Sequence, residues 1–160
     1  MFSQYLIVFC ISMVPLIELR GAIPVSQAFG LPVIPSYAIC ILGNMLPVPV
    51  IYLFARRFLE WGQDKKYIGG ICSFFLVKGN NAGQKLQAKA GNGLFVALLL
   101  FVGIPLPGTG AWTGTLGASL LNMRFRDTVL SVMAGVLLAG IIMMLASMGV
   151  LGGVGALFAK

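Results

Sequence analysis

Histidine is absent from this 160-residue chain, and acidic residues are nearly so: Glu18, Glu60, Asp64 and Asp127 are the only four. The commonest general base and zinc ligand is therefore missing. Cys10, Cys40 and Cys72 lie far apart in apolar surroundings, so neither a metal centre nor a disulfide framework is expected. No cofactor is expected either. The apolar segments hold no acid pair and no Ser-Lys dyad at helical spacing, which argues against an enzyme. Charged residues make up 9% of the chain, against about 25% in a typical soluble domain. With 59% hydrophobic residues and a mean hydropathy of +0.98, the composition is that of an integral membrane protein with one domain over residues 1–160. The first residues lack the basic region of a secretory signal and read as mature protein.

What is present is a set of apolar segments of unequal length. Tyr5 to Ile17 holds thirteen residues, about 20 Å of helix against a hydrocarbon slab of about 30 Å. Continuing it would carry Glu18 and Arg20 into the span, so a break is expected near Pro15, followed by a second short arm over Ile23 to Leu31. Residues 34–55 make a full span closed by Arg56 and Arg57, with a kink expected near Pro47 and Pro49. The plan then repeats about 90 residues on. Leu94 to Leu106 is a short arm, a break follows through Pro105, Pro107, Gly108, Thr109 and Gly110, and Ala111 to Leu121 returns as a second arm. Thr128 to Met148 is the second span. The glycine-rich stretch over 149–155 and both termini take no membrane placement from sequence.

The architecture these lengths imply is all-α. It is an inverted repeat of re-entrant hairpin plus transmembrane helix, one copy over about 1–58 and the other over about 93–160. Between them, over about 59–92, lies the only polar stretch, with Tyr67 to Val77 as a surface-lying helix and a turn at Gly79 to Gly83. Seven Lys or Arg between Arg56 and Lys89, with Arg124 and Arg126, place this side in the cytoplasm. These lysines touch membrane lipids rather than nucleic acid, since no recognition motif accompanies the net charge of +7.

Broken helices persist at membrane depth only where protein or a watery cavity covers the break. Paired breaks in two halves point to a transporter's substrate site. Glu18 is the only carboxylate in an apolar segment and is the candidate proton-coupling group. The competing reading makes it a neutralising partner for Arg20 or a cap for a half-helix. Two residues apart on a helix, Glu18 and Arg20 do not face each other, so an unwound backbone or separate partners are required. Arg20 presents a donor fork suited to a carboxylate or phosphate, or else to the carbonyls of the opposite hairpin. Both second arms are expected to begin at mid-depth, near Ala22 and Gly110, where free N–H groups would attract an anion. Thr109 is the expected N-cap of the later arm, and Pro24 is expected in the first turn of the earlier one beside Gly21. Gly110, Gly114 and Ala118 form a small-residue stripe for close packing. Trp112 stands beside the break as a gate or core filler, and Asn44 on the first span bonds a substrate or a neighbouring helix.

The signatures Glu18 to Pro24 and Gly103 to Gly114, on a chain of this length, resemble the bacterial small multidrug export protein family, which is itself similar to the DedA and VTT-domain membrane proteins. That resemblance implies a multi-pass protein of the bacterial inner membrane with re-entrant hairpins facing each other. Through DedA-type relatives it also implies proton-coupled flipping of a lipid-linked phosphate such as undecaprenyl phosphate. The reading from sequence is a secondary transporter or flippase for an anionic or amphipathic substrate, working as a homodimer or larger assembly. A small multidrug exporter and a non-transporting lipid-organising protein stand as the alternatives.

Overall fold

The computed structural model describes residues 2–15, 17–74, 76–77, 81, 93–106 and 108–158, with side chains as far as residue 149. The regular elements are helices, and no strand occurs among the described residues. The first arm is α1, Phe2–Met13. It stops there because Val14 precedes Pro15, and a residue before proline is pushed out of the helical region. The chain turns at once into α2, Glu18–Ala28, so that Glu18 N donates to Val14 O at 3.0 Å and Gly21 N to Ile17 O at 3.1 Å. This corrects the expected boundaries. The first arm does not reach Ile17, and the second begins at Glu18 rather than Ile23, with Pro24 seven residues into the helix.

The first long span is α3, Val33–Met45, running into α4, Pro47–Gly62. Leu46 between them keeps helical angles and Pro47 opens the next turn, where a missing N–H costs little. Val33–Gly62 is thus one apolar segment of 30 residues, its two helices joined at Leu46, with a mean hydropathy of 2.0. Residues 69–74, 76–77 and 81 are helical, so the helix begins two residues after the expected Tyr67 and Asn81, expected in a turn, is helical instead. Lys78, Lys85, Lys89 and all of the expected 79–83 turn except Asn81 lie outside the described residues. The second half supplies α5, Gly93–Gly103, then α6, Ala111–Leu120, and α7, Phe125–Phe158. Within α7, Phe125–Gly149 has a mean hydropathy of 2.6, and the helix continues through the glycine-rich stretch.

Helices α3–α4 and α7 are long and apolar enough to cross a membrane. At 10 to 12 residues each, α1, α2, α5 and α6 are not. The short pieces pack on the long ones: α1 on α3, α5 on α7, α2 on both α3 and α7, and α6 on both α4 and α7. Buried between them are Val8, Ala22, Cys40, Val48, Val102, Val132, Val136 and Ala139. The outer faces expose Leu42, Val50, Leu53, Leu130 and Leu145.

Local devices recur at a fixed spacing. Helix α2 ends with Gly30 in the left-handed region and Leu31 N on Ser26 O at 3.1 Å; α6 ends with Asn122 in the same region and Met123 N on Ala118 O at 3.0 Å. Each is a Schellman cap, and the residues are 92 apart. So are Ser36 and Thr128, whose hydroxyls donate back to Pro32 O at 2.7 Å and Arg124 O at 3.1 Å. Gly43 and Gly135 match likewise. A Cβ on Gly43 would lie 2.7 Å from Phe9 O, and one on Gly135 would lie 2.8 Å from Leu99 O, so each glycine lets a first arm's backbone lie against its span.

Candidate functional site

Two helix breaks leave polar backbone that apolar surroundings cannot satisfy, and residues near the first break satisfy much of the second. Glu18, 4% exposed, sends its carboxylate across to the start of α6, where Ala111 N donates to Oε2 at 3.2 Å and Trp112 N donates to Oε1 at 3.1 Å. The negative group thus sits on the positive end of a helix. Glu18 reaches it from a left-handed backbone with φ of 51°, a conformation that costs a non-glycine residue about 1–3 kcal/mol. Gly110 makes the approach possible, because a Cβ there would fall 2.3 Å from Oε2.

Arg20 handles the other end of the same break. Its Nη1 donates to Leu106 O, and its Nη2 donates to Ile104 O at 3.4 Å and to Thr109 Oγ1 at 3.0 Å. The Thr109 hydroxyl lies 3.0 Å from Ile104 O and 2.9 Å from Leu106 O. A guanidinium therefore adds donors to the Ile104 and Leu106 carbonyls, which already accept Leu106 N at 2.8 Å and Thr109 N at 3.2 Å, while a carboxylate covers amides left free where α6 starts. Glu18 and Arg20 form no ion pair with each other; the ion pair among the described residues is Arg56–Glu60, at 2.9 Å.

This geometry corrects two expectations. Thr109 is not the N-cap of α6: that position is Gly110, with no side-chain cap of its own, and the cap comes from Glu18, 93 residues away. Nor does α6 hold a vacant anion trap, because the Glu18 carboxylate occupies those amides. Of the other expected site residues, Pro105 and Gly108 shape the break, and Gly108 has a φ of 84° that favours glycine. Pro107 lies outside the described residues. Gly21 packs against Ile17, and Pro24 leaves the Arg20 carbonyl without its usual helical donor. In the small-residue stripe, a Cβ on Gly114 would meet Val102 at 2.6 Å, a mark of close packing against α5.

Both breaks lie near mid-span. Ser119 Oγ donates to Tyr52 O at 3.1 Å and Arg56 reaches Asn122, so α4 and α6 run side by side in one direction. Seven residues back from Ser119 and Tyr52, about 10 Å along both helices, stand Trp112 and Met45, with Asn44 next to it. On α7, a Cβ on Gly140 would meet Leu19 at 2.9 Å, and Gly103 abuts Leu138. These positions fall close to the middle of Phe125–Gly149.

Among the described residues, the buried side-chain polar atoms without a hydrogen-bond partner are Arg20 Nε, Trp112 Nε1, and Asn44 Nδ2 and Oδ1. All belong to residues that the sequence singles out. Asn44 is fully buried, and an unmet polar group there costs about 1–3 kcal/mol. The sequence reading allows for both contacts, a half-helix cap for Glu18 and opposite-hairpin carbonyls for Arg20, but does not single out Ile104, Leu106 and Ala111 as the partners.

No curated protein and no solved structure matches the chain. A family model described as "Putative small multi-drug export protein" matches residues 18–142, from Glu18 just after the first break, through the second break and into α7. The chain belongs to the small multi-drug export protein family.

Proposed function

We propose that this membrane protein is a secondary transporter of small molecules, with the two breaks as one gated site and Glu18 as its proton-coupled latch. The observation that carries the reading is the Glu18 carboxylate seated on Ala111 N and Trp112 N across two halves of the molecule. Protonating Glu18 removes the charge that holds these amides and leaves the start of α6 open to another anion. An incoming carboxylate or phosphate then competes with Glu18 for the same pair of N–H groups, which couples loading of substrate to loading of a proton. Arg20, Asn44 and Trp112 supply further donors, three of them already buried without partners.

The family description agrees with small-molecule export, the alternative set beside the carrier reading, and offers nothing for a lipid-linked phosphate. Arg20 beside the latch disfavours cationic drugs and favours anionic or amphipathic ones. In this reading the caps, hydroxyls and glycines that recur 92 residues apart reflect an inverted repeat of re-entrant hairpins, with the basic side facing the cytoplasm of a bacterial inner membrane.

Purified protein in proteoliposomes, given a pH gradient and a panel of small organic anions, tests the reading. Wild-type protein should move at least one anion only when the gradient is present. Glu18→Gln should abolish gradient-driven movement while its helical circular dichroism is unchanged, and Arg20→Ala should do so more completely than Arg20→Lys. Gradient-driven transport at the wild-type rate in Glu18→Gln would overturn the latch.

A further inference from the structure

Helices α4 and α6 leave an apolar groove of about 380 Å³ between them, lined by Ile51, Ala55, Phe58, Trp112, Leu116 and Leu120 among others. We infer that this groove holds one acyl chain of an anionic phospholipid, whose headgroup rests on Arg57, Lys65 and Lys66 at its shallow end.

Three observations carry this. The groove runs with the two helices from Leu59 and Leu120 to Ile51 and Trp112, eight residues on each helix, or about 12 Å. That is most of one leaflet's share of a slab of about 30 Å. Its shallow end is marked as an interface by an aromatic ladder along α4: Phe54 stacks on Phe58 with centroids 6.0 Å apart, Phe58 meets Trp61 at 6.2 Å, and Lys65 Nζ lies 4.5 Å from the Trp61 ring. Tryptophan and a lysine held over it are features of the headgroup level. Around that end the chain places Arg56, Arg57, Lys65, Lys66, Arg124 and Arg126 against Glu60, Asp64 and Asp127. Glu60 is already committed to Arg56, whose guanidinium also holds Asn122, so the exposed remainder is cationic and complements an anionic headgroup. A zwitterionic lipid would fill the groove without using these charges.

The test uses the chain's own fluorescence. It has two tryptophans, and Trp61→Phe keeps a ring beside Lys65 while leaving Trp112, at the groove's deep end, as the only emitter. In proteoliposomes, phosphatidylglycerol brominated on its acyl chains should quench Trp112 at about a five- to ten-fold lower mole fraction than brominated phosphatidylcholine. Arg57→Gln with Lys65→Gln should erase that preference while leaving quenching by phosphatidylcholine in place. Ala55→Phe, which fills the groove, should weaken quenching by both lipids. Equal quenching by the two lipids in Trp61→Phe, or no change on Ala55→Phe, would overturn the assignment. So would loss of quenching with rising protein-to-lipid ratio, which would put a second copy of the chain in the groove.

Discussion

Glu18 holds a left-handed backbone that costs about 1–3 kcal/mol and gains two buried charge-assisted hydrogen bonds worth about 1.5–3 kcal/mol each. The bonds outweigh the strain. Glu18→Ala should therefore lower stability by about 2–4 kcal/mol, read as a lower unfolding midpoint in detergent, and Glu18→Gln by less, since an amide oxygen still accepts one N–H. An equal midpoint for Glu18→Ala and wild type would show that the cap contributes nothing. Gly110→Ala reaches the same bonds from the opposite side: its Cβ would fall 2.3–2.7 Å from the carboxylate, and the flexible Glu18 side chain gives way before the backbone does. We expect Gly110→Ala to keep its helical content yet match Glu18→Gln in gradient-driven transport. The identities of Glu18 and Arg20 stand out in sequence because they are charges set in apolar surroundings. Their partners do not, because capping rules look a few residues along the chain, and this cap crosses 93 residues. Thr109 looks like a cap only under that local rule.

At the scale of the helix, length and proline place most boundaries to within a few residues: α6 follows the sequence closely, while α5 stops at Gly103 rather than Leu106, since Ile104 precedes Pro105, and α4 runs past Arg56 and Arg57 to Gly62. Helix α2 is the exception. Its sequence offers no N-cap at Ile17 and carries an internal Pro24, so propensity favours a later start. What starts it early is the tight turn after Pro15, whose bonds from Glu18 N and Gly21 N close the first turn at once. Tertiary packing makes a sharper prediction about glycines. Gly43→Ala and Gly135→Ala each drive a Cβ into a backbone carbonyl at 2.7 and 2.8 Å, so each should cost about 1–3 kcal/mol. Gly117 has open space where its Cβ would go, so Gly117→Ala should be neutral or stabilising by up to about 1 kcal/mol. Thermal unfolding of the three variants should separate the first two from the third. A tolerated Gly43→Ala beside a damaging Gly135→Ala would show that the two contacts are not equivalent.

For the whole molecule, the decisive relation is how the second arms lie on the spans. Helix α6 runs beside α4 toward Arg56 and Asn122, while α5 lies along the opening turns of α7, with Ser131 Oγ on Phe95 O at 2.6 Å and Gly103 at Leu138. Both arms of the second hairpin therefore open toward the basic side. Helix α2 instead meets α7 where Leu19 touches Gly140, past the point where α5 stops, so in the proposed arrangement it continues toward the other face. Segment lengths and lysine positions hint at this inversion in the sequence. The contacts that would establish it pair residues about 120 apart, beyond any local pattern. Phe29 and Leu121 follow the ends of α2 and α6 and are 92 residues apart, so they report directly on the two openings. In a background with Cys10, Cys40 and Cys72 replaced, single cysteines at these positions should be modified by a membrane-impermeant maleimide from opposite faces of oriented vesicles. Modification of both from one face would make the repeats parallel. Glu18 would then reach α6 from within a single vestibule, and the latch could not alternate between sides.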